Sequence, residues 1–186
     1  MIQPVFTPFP VLSTPRLVLR EITEADAPEM LMLRSDPELM QYIHRPPATG
    51  LEDVLVYIRR IIADVQAHDG ITWGITLRDS PGVIGTLGFW RLDKAHYRAE
   101  IGYMLAQAYQ RQGLMQEAMS AVLRYGFEEM GLHSVEANVS PDNEPSQGIL
   151  LRNGFVREGY FRENYFFNGQ FLDSAIYSLV KGLTYL

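Results

Sequence analysis

The residue types and spacing that favour anion binding occur in one stretch, Tyr109-Gln110-Arg111-Gln112-Gly113-Leu114-Met115. This stretch leads into a segment with the i, i+3, i+4, i+7 apolar spacing of one helix face: Met115, Ala118, Met119, Val122, Leu123, Gly126, Phe127 and Met130. Neither Gln112 nor Gly113 can cap the first backbone N–H groups as Ser, Thr, Asp or Asn would. Free N–H groups, the positive end of the helix dipole and the nearby Arg111 therefore predict an anion site, with phosphate as the obvious ligand.

The composition limits the class of protein and its chemistry. The absence of cysteine among 186 residues excludes disulfides, thiolate metal ligands and a cysteine nucleophile. The net charge of −6 argues against a nucleic-acid surface and suits a positively charged partner such as an amine. No apolar run approaches the ~20 residues of a membrane span, and no signal peptide is visible, so we expect no membrane partner and a cytoplasmic location. The four histidines are far apart in the sequence, so we expect no metal site.

The elements that position the anion site follow from periodicity and turn signals. Strands are predicted over 16–22, 71–77, 83–91, 97–105, 134–140, 155–167 and 170–180. Helices are predicted over about 24–34, after Asp36-Pro37, and over 51–66, 115–130 and 144–152. Short connections make the middle of the sheet antiparallel, and Asn168-Gly169 predicts a hairpin. The order predicts an α+β (mixed α/β layers) fold, with an N-terminal arm over 1–11 and one domain over 12–182.

Other phosphate-binding motifs are absent from the sequence, since it has no P-loop and no G-x-G-x-x-G after a strand. Instead, Gln110-Arg111-Gln112-Gly113-Leu114-Met115 resembles motif A, [QR]-x-x-G-x-[GA], of the GNAT superfamily of acyl-CoA-dependent N-acyltransferases. Four further segments resemble, in order and spacing, the RimJ/RimL type of ribosomal-protein alanine acetyltransferase: 12–20, 99–103, 138–146 and 153–159. Met115 departs from the motif, which has Gly or Ala there, so we expect its side chain to turn into the core.

This resemblance implies a central, mostly antiparallel seven-stranded sheet flanked by helices, with the fourth and fifth strands separating to admit acetyl-CoA. The pantetheine arm would pair with the backbone of Tyr103, Met104 and Leu105. The diphosphate would bind the N–H groups of Arg111, Gln112, Gly113, Leu114, Met115 and Gln116. Glu117 is an anion close to this anion site, so we expect its side chain to point to solvent.

Acyl transfer to an amine requires a base for the nitrogen and an acid for the leaving thiolate, because an alkyl ammonium has a pKa of about 10 and a thiol one of about 8.5. Glu100 is the candidate base, acting through a water or by holding the ammonium. The alternative is a salt bridge from Glu100 to Arg98 or Arg91 that only orders the sheet. Ser146 is the candidate acid that the resemblance implies. The alternative is that Asn143 or Ser146 caps the helix over 144–152, and Asn143 could also bind the pantetheine amide.

The resemblance thus implies an N-acetyltransferase that moves acetyl directly to a primary amine in a ternary complex. The acceptor would be a protein N-terminus, a polyamine or another small cationic amine. Two alternatives remain open, a catalytically inactive acyl-CoA-binding module and a purely structural domain. Aromatic residues near the closing strands could pack together, wall the acceptor pocket or form a homodimer contact: Trp90, Tyr160, Tyr165, Phe166 and Phe167.

Overall fold

The structure, a computed structural model, describes residues 1–182 of the chain. The helices are α1 (Ala27–Ser35), α2 (Pro37–Met40), α3 (Leu51–Gln66), α4 (Leu114–Glu128) and α5 (Glu144–Arg152). The strands are β1 (Leu12–Ser13), β2 (Leu17–Glu21), β3 (Ile71–Leu77), β4 (Ser80–Asp93), β5 (Arg98–Leu105), β6 (Ser134–Val139), β7 (Val156–Phe167) and β8 (Gln170–Val180). They form a single sheet in the order β1-β2-β3-β4-β5-β6-β8-β7. Within this described part, no helix is long and apolar enough to cross a membrane.

Two apolar clusters cover the two faces of the sheet. On one face, α1 and α3 bury Met30, Leu33, Val54 and Ile58, with Met104 of β5 packed against them. On the other face, α4 and α5 pack on the central strands, and their buried residues include Ala118, Met119, Val122 and Leu150. The N-terminal arm belongs to this second cluster, since Ile2 and Phe6 are buried in it. The site described below lies where these two layers meet at the middle of the sheet.

The predicted fold class is confirmed, and three details differ from the sequence-based prediction. The sheet has eight strands rather than seven, because Leu12 and Ser13 pair with Leu19 and Val18 as a short extra edge strand. The predicted helix over 24–34 begins as a 3-10 turn, Glu24–Asp26, before α1. Strand β4 extends beyond 83–91, because the hairpin with β3 pairs as far as Leu77 and Ser80. The Asn168-Gly169 hairpin forms as predicted, and both residues have positive φ (47° and 79°).

The sheet opens between β5 and β6, the only parallel pair among its neighbouring strands in residues 1–182. These strands pair at three positions, from Arg98 with Ser134 to Glu100 with Glu136. Beyond Glu100, β5 continues beside β4 as far as Leu105, and β6 continues beside β8 as far as Val139. The two strands therefore separate towards their C-terminal ends, which leaves the backbone of β5 without a strand partner on that side.

Candidate active site

One cavity of about 1180 Å³ passes through the gap between β5 and β6 and reaches both faces of the sheet. Nearly all the residues that the sequence singled out line this cavity: Glu100, Tyr103, Met104, Leu105, Arg111, Gly113, Leu114, Met115, Gln116, Asn143 and Ser146. Gln112 is the exception, because its side chain turns back and its amide donates a hydrogen bond to the carbonyl of Ala108 at 2.8 Å. The structure thus brings together residues from β5, α4 and α5 that are far apart in the sequence.

The start of α4 has the geometry of an anion site. Gly113 is the N-cap residue with a φ of 74°, a left-handed conformation that glycine adopts without strain, and no side chain caps the helix. The first intrahelical bond runs from the N–H of Glu117 to the carbonyl of Gly113 at 3.1 Å, so the preceding N–H groups have no helical partner. Met115, which departs from motif A, is buried in the core as expected. Its side chain therefore leaves the helix terminus accessible.

Glu117 corrects one expectation, because its side chain does not point to solvent. Its carboxylate accepts hydrogen bonds from the Thr14 hydroxyl at 2.5 Å and from the Arg16 guanidinium at 2.7 Å. Burial raises the pKa of this carboxyl, but the bonds from Thr14 and Arg16 outweigh it and the net pKa is lowered. Arg16 also donates to the carbonyl of Gln112 at 2.9 Å, so it braces the loop that carries the anion site. The negative charge of Glu117 is therefore neutralised beside that site.

Strand β5 presents Glu100 and Tyr103 on opposite faces of the sheet, because side chains alternate along a strand. Glu100 lies opposite Trp90 of β4, and only 8% of its surface is exposed. Its carboxylate accepts a hydrogen bond from Arg91 at 3.0 Å, and Arg98 pairs with Glu136 instead. Burial raises the pKa of Glu100, the charge of Arg91 opposes this, and the net pKa is raised. Both interpretations, base and salt-bridge partner, are compatible with this geometry.

Arg91 reaches Glu100 because of an irregularity in β4. The pairing between β4 and β5 shifts register between Trp90 and Asp93, and Arg91 has a φ of 48°. Such bulges redirect side chains and are common beside active sites. The sequence alone gave no sign of this bulge.

On the other face, Tyr103 and Ser146 form a hydroxyl pair across the gap. The Tyr103 hydroxyl lies 2.7 Å from Oγ of Ser146, on the first turn of α5. Asn143 caps that helix, since its Oδ1 accepts the N–H of Ser146 at 3.1 Å. Burial raises the pKa of Tyr103 to about 12, against the lowering effect of the Ser146 bond. Tyr103 therefore stays protonated and can donate to Ser146, which leaves the Ser146 hydrogen available to a group in the cavity.

The comparison with known families identifies the chain. The sequence pattern of the acetyltransferase (GNAT) domain matches residues 16–156. The chain belongs to the GNAT acetyltransferase family.

Relatives support this membership and the ribosomal-protein resemblance. The N-acetyltransferase YoaA of Bacillus subtilis is 40% identical over 173 residues, which is 93% of this acetyltransferase and 98% of YoaA. The ribosomal protein uS5-alanine N-acetyltransferase of Escherichia coli is 32% identical over 108 residues, 58% of this chain and 56% of that protein. The structure of RimL, a ribosomal L7/L12 α-N-protein acetyltransferase in complex with coenzyme A, superposes with a TM-score of 0.84 at 22% identity. The superposition covers 92% of this chain and 98% of the RimL chain. The protein is therefore an acetyl-CoA-dependent acyltransferase with the GNAT fold.

The mouth of the acetyltransferase cavity is formed by the loop before α3 and by the closing hairpin. The ring of His44 stacks on that of Tyr165 at 5.2 Å, and the Tyr165 hydroxyl donates to the carbonyl of His44 at 3.1 Å. Burial lowers the pKa of His44, which favours the neutral ring. The aromatic residues of the closing strands do not pack as one cluster, because Tyr165 and Phe167 meet His44 and Phe166 meets Phe171.

Several of these contacts were not predictable from the sequence. The side chain of Tyr103 was missed, although strand alternation places it opposite Glu100 and thus towards α5. Arg91 and His44 are held by contacts that no short motif encodes. Within residues 1–182, no cluster of three or more His, Asp or Glu side chains has an arrangement suited to a metal ion.

Proposed function

We propose that this acetyltransferase moves the acetyl group directly from acetyl-CoA to a primary amine within a ternary complex. The observation that carries the proposal is the single cavity, which connects the free N–H groups of α4, the gap between β5 and β6, and the carboxylate of Glu100. Cofactor and acceptor can therefore enter from opposite faces of the sheet and meet in the gap. No covalent acyl-enzyme is needed, because an amine in the gap can attack the thioester directly, and the sequence has no cysteine that could act as a thiol nucleophile.

The cofactor would occupy the side of the cavity that α4 and α5 border. The diphosphate would bind the N–H groups of residues 111–116 at the positive end of the α4 dipole. The pantetheine arm would take the place of a strand beside β5, along the backbone of Tyr103, Met104 and Leu105, where β6 has separated. The side-chain amide nitrogen of Asn143 would donate to this arm, because Oδ1 of the same side chain is already bonded to Ser146.

The proton transfers would be divided between the two faces of β5. Glu100 holds the ammonium and takes its proton, directly or through a water, and the raised pKa makes this carboxylate a stronger base. The amine nitrogen then bonds to the thioester carbonyl carbon, the C–S bond breaks and the nitrogen loses a second proton to solvent. The departing thiolate takes the hydroxyl proton of Ser146, the Ser146 oxygen takes a proton from the Tyr103 hydroxyl that is bonded to it, and solvent, which received the proton from nitrogen, returns one to Tyr103.

The acceptor would be a primary amine, and a protein N-terminus is supported by the name of the Escherichia coli relative, which acts on an alanine of ribosomal protein uS5. Small amines such as polyamines remain candidates for the same site. The cavity volume of about 1180 Å³ accommodates an extended cofactor arm together with a short peptide end or a small amine.

The test is thiol release from acetyl-CoA with a panel of peptides and small amines. We expect Glu100→Gln and Ser146→Ala each to lower kcat by about a hundredfold or more, as loss of general acid–base catalysis does. Glu24→Gln is a matched control, because Glu24 is a carboxylate that is also paired with an arginine, Arg59, and does not line the cavity. Ser120→Ala is the corresponding control for the hydroxyl.

The competing function is that of an inactive acyl-CoA-binding module. Measurements of acetyl-CoA binding and of thiol release on the same proteins distinguish this module from an enzyme. Acetyl-CoA at a hundred times its Kd would add roughly 2.7 kcal/mol to the unfolding free energy in either case. If acetyl-CoA raises Tm but no amine on the panel releases thiol above the hydrolysis rate, the binding-module function is correct and the enzymatic proposal is wrong.

A further inference from the structure

Two guanidinium groups converge on Trp90 at the mouth of the cavity. The Cζ atoms of Arg91 and Arg45 lie 4.3 Å and 5.5 Å from the centroid of the Trp90 ring. Trp90 is the register partner of Glu100, so both positive charges lie beside the carboxylate that the proposed function assigns to the amine. A second cavity of about 330 Å³ adjoins this place, and its charged lining residues are Arg45, Arg60, Arg91, Asp64 and Asp69. We call the space bordered by Trp90, Arg45 and Arg91 the arginine recess.

The positive charge of the recess is not cancelled by the carboxylates around it. Asp64 is paired with Arg60 at 4.0 Å, and Asp69 is paired with Lys94 at 2.7 Å. Asp173, in the lining of the larger cavity, keeps its charge, because its partners, the Tyr160 hydroxyl and the N–H of Glu163, are neutral. Arg91 already shares the carboxylate of Glu100. Among residues 1–182, Arg45 has no carboxylate within ion-pair distance. The recess therefore holds one positive charge without a carboxylate partner, that of Arg45, on a chain whose net charge is −6.

This arrangement disfavours a polycation and favours an acceptor of mixed charge. A polyamine would bring several positive charges next to two guanidinium groups, at a cost in electrostatic energy. An acceptor that carries an oxyanion would instead bond to the guanidinium groups, which match a carboxylate or a phosphate group in a bidentate manner. Its oxyanion could also replace Glu100 as the partner of Arg91, which would release the Glu100 carboxylate to the ammonium.

We infer that the acceptor is a primary amine that also carries a carboxylate or phosphate group, and that Arg45 and Arg91 bind this oxyanion in the arginine recess. The inference rests on the proposed function, because it assumes that the amine lies at Glu100. Either an acidic peptide end or a small amino acid would provide this chemistry.

The test compares matched acceptors and a single arginine variant. The peptides begin with Ala-Glu, Ala-Gln or Ala-Lys and are otherwise identical, with neutral residues and an amidated C-terminus. Glutamate and spermidine serve as the small amines. We expect kcat/KM for Ala-Glu to exceed that for Ala-Gln by roughly tenfold or more, and Arg45→Gln to remove most of this ratio. Arg45→Lys should retain part of it. Arg124→Gln is the control, because Arg124 is exposed, lies outside both cavities and forms no ion pair with the described residues.

A binding measurement keeps this inference separate from the proposed function. The Tm of the protein saturated with coenzyme A is measured with and without each acceptor, which requires no turnover. Stabilisation by Ala-Glu but not by Ala-Gln, lost in Arg45→Gln, supports the inference even if no acceptor is acetylated. Equal responses to Ala-Glu and Ala-Gln, a preference for Ala-Lys or spermidine, or an unchanged ratio in Arg45→Gln would overturn it. A preference for glutamate over Ala-Glu would identify the small amino acid as the source of the oxyanion.

Discussion

The hydroxyl pair of Tyr103 and Ser146 gives a prediction with two independent readouts. The oxygens are 2.7 Å apart and both residues are largely buried, so each single variant leaves a hydroxyl without its partner. A neutral hydrogen bond contributes about 1 kcal/mol net, and an unsatisfied buried group costs about 1–3 kcal/mol. We expect Ser146→Ala to lower the unfolding free energy by about 1–2 kcal/mol, because the Tyr103 hydroxyl then has only the backbone carbonyl of residue 146, at 3.4 Å, as a hydrogen-bond acceptor. Tyr103→Phe should cost less, since the Ser146 hydroxyl can rotate towards solvent in the cavity.

The assay is a double-mutant cycle in both stability and catalysis. Urea denaturation of the wild type, the two single variants and the double variant should give a coupling energy of about 0.5–1.5 kcal/mol. In steady-state kinetics, Ser146→Ala should lower kcat by about a hundredfold and Tyr103→Phe by a few-fold to about tenfold. Because Tyr103 acts through Ser146, adding Tyr103→Phe to Ser146→Ala should lower kcat no further.

The kinetic part of the cycle can refute this reasoning. If Tyr103→Phe lowers kcat by the same factor in the presence and absence of the Ser146 hydroxyl, the two residues act independently and the relay from Tyr103 to Ser146 is wrong. If stability shows coupling but kcat changes in neither single variant, the pair only holds β5 against α5. The KM for acetyl-CoA provides a further check, because a change confined to KM would indicate a role in binding alone.

Three further predictions concern Glu100, the proposed anion site at Gly113, and Arg16, which pairs with Glu117 beside that site. The pKa of Glu100 is raised above its ordinary value of 4.5, so the contribution of this group to stability is present below pH 4.5 and is lost as the pH rises through the raised pKa. The unfolding free energy of the wild type relative to Glu100→Gln should therefore fall over this pH window. Urea denaturation at a series of pH values measures this difference. The opposite slope would show that the bond to Arg91 dominates. Gly113→Ala should cost about 1–2 kcal/mol because of the left-handed φ of 74°, and should weaken coenzyme A binding in calorimetry. Gly82→Ala is the control and should be nearly neutral, because Gly82 has no left-handed φ and the new Cβ would meet only one atom within 4 Å, at 3.7 Å. Arg16→Gln should raise the Kd for coenzyme A by about two- to fivefold, because it exposes the diphosphate to the negative charge of Glu117. The Arg16→Gln/Glu117→Gln double variant should recover most of the lost affinity. No reversal would mean that Arg16 acts through the loop at Gln112 instead.

The elements that the sequence predicted well are those whose signals are local. Helix α3 matches its predicted bounds because its apolar spacing is regular and loop residues flank it. The hairpin at Asn168-Gly169 follows from two residues that tolerate positive φ. The uncapped start of α4 was also predictable, since the residues that form it are neighbours in the chain, and its binding of an anion stays a prediction.

The features that escaped prediction depend on contacts between distant residues or on irregular backbone. Glu117 was expected in solvent because its partner Arg16 is 101 residues away in the sequence. The bulge that directs Arg91 to Glu100 breaks the strand pattern at one position, and no residue type marks it. The Tyr103–Ser146 pair requires the placement of α5 against β5, which strand alternation can suggest but cannot fix.

The short parallel pairing of β5 and β6 has a consequence for the lifetime of the protein. The sheet consists of five strands on one side of the gap and three on the other, and the backbone joins them at only three positions. A bound pantetheine arm would add amide groups along this seam and hold the two parts together, in addition to serving as substrate. We therefore expect proteases to cleave the unliganded protein faster than the loaded one, so that cellular abundance would follow the supply of acetyl-CoA.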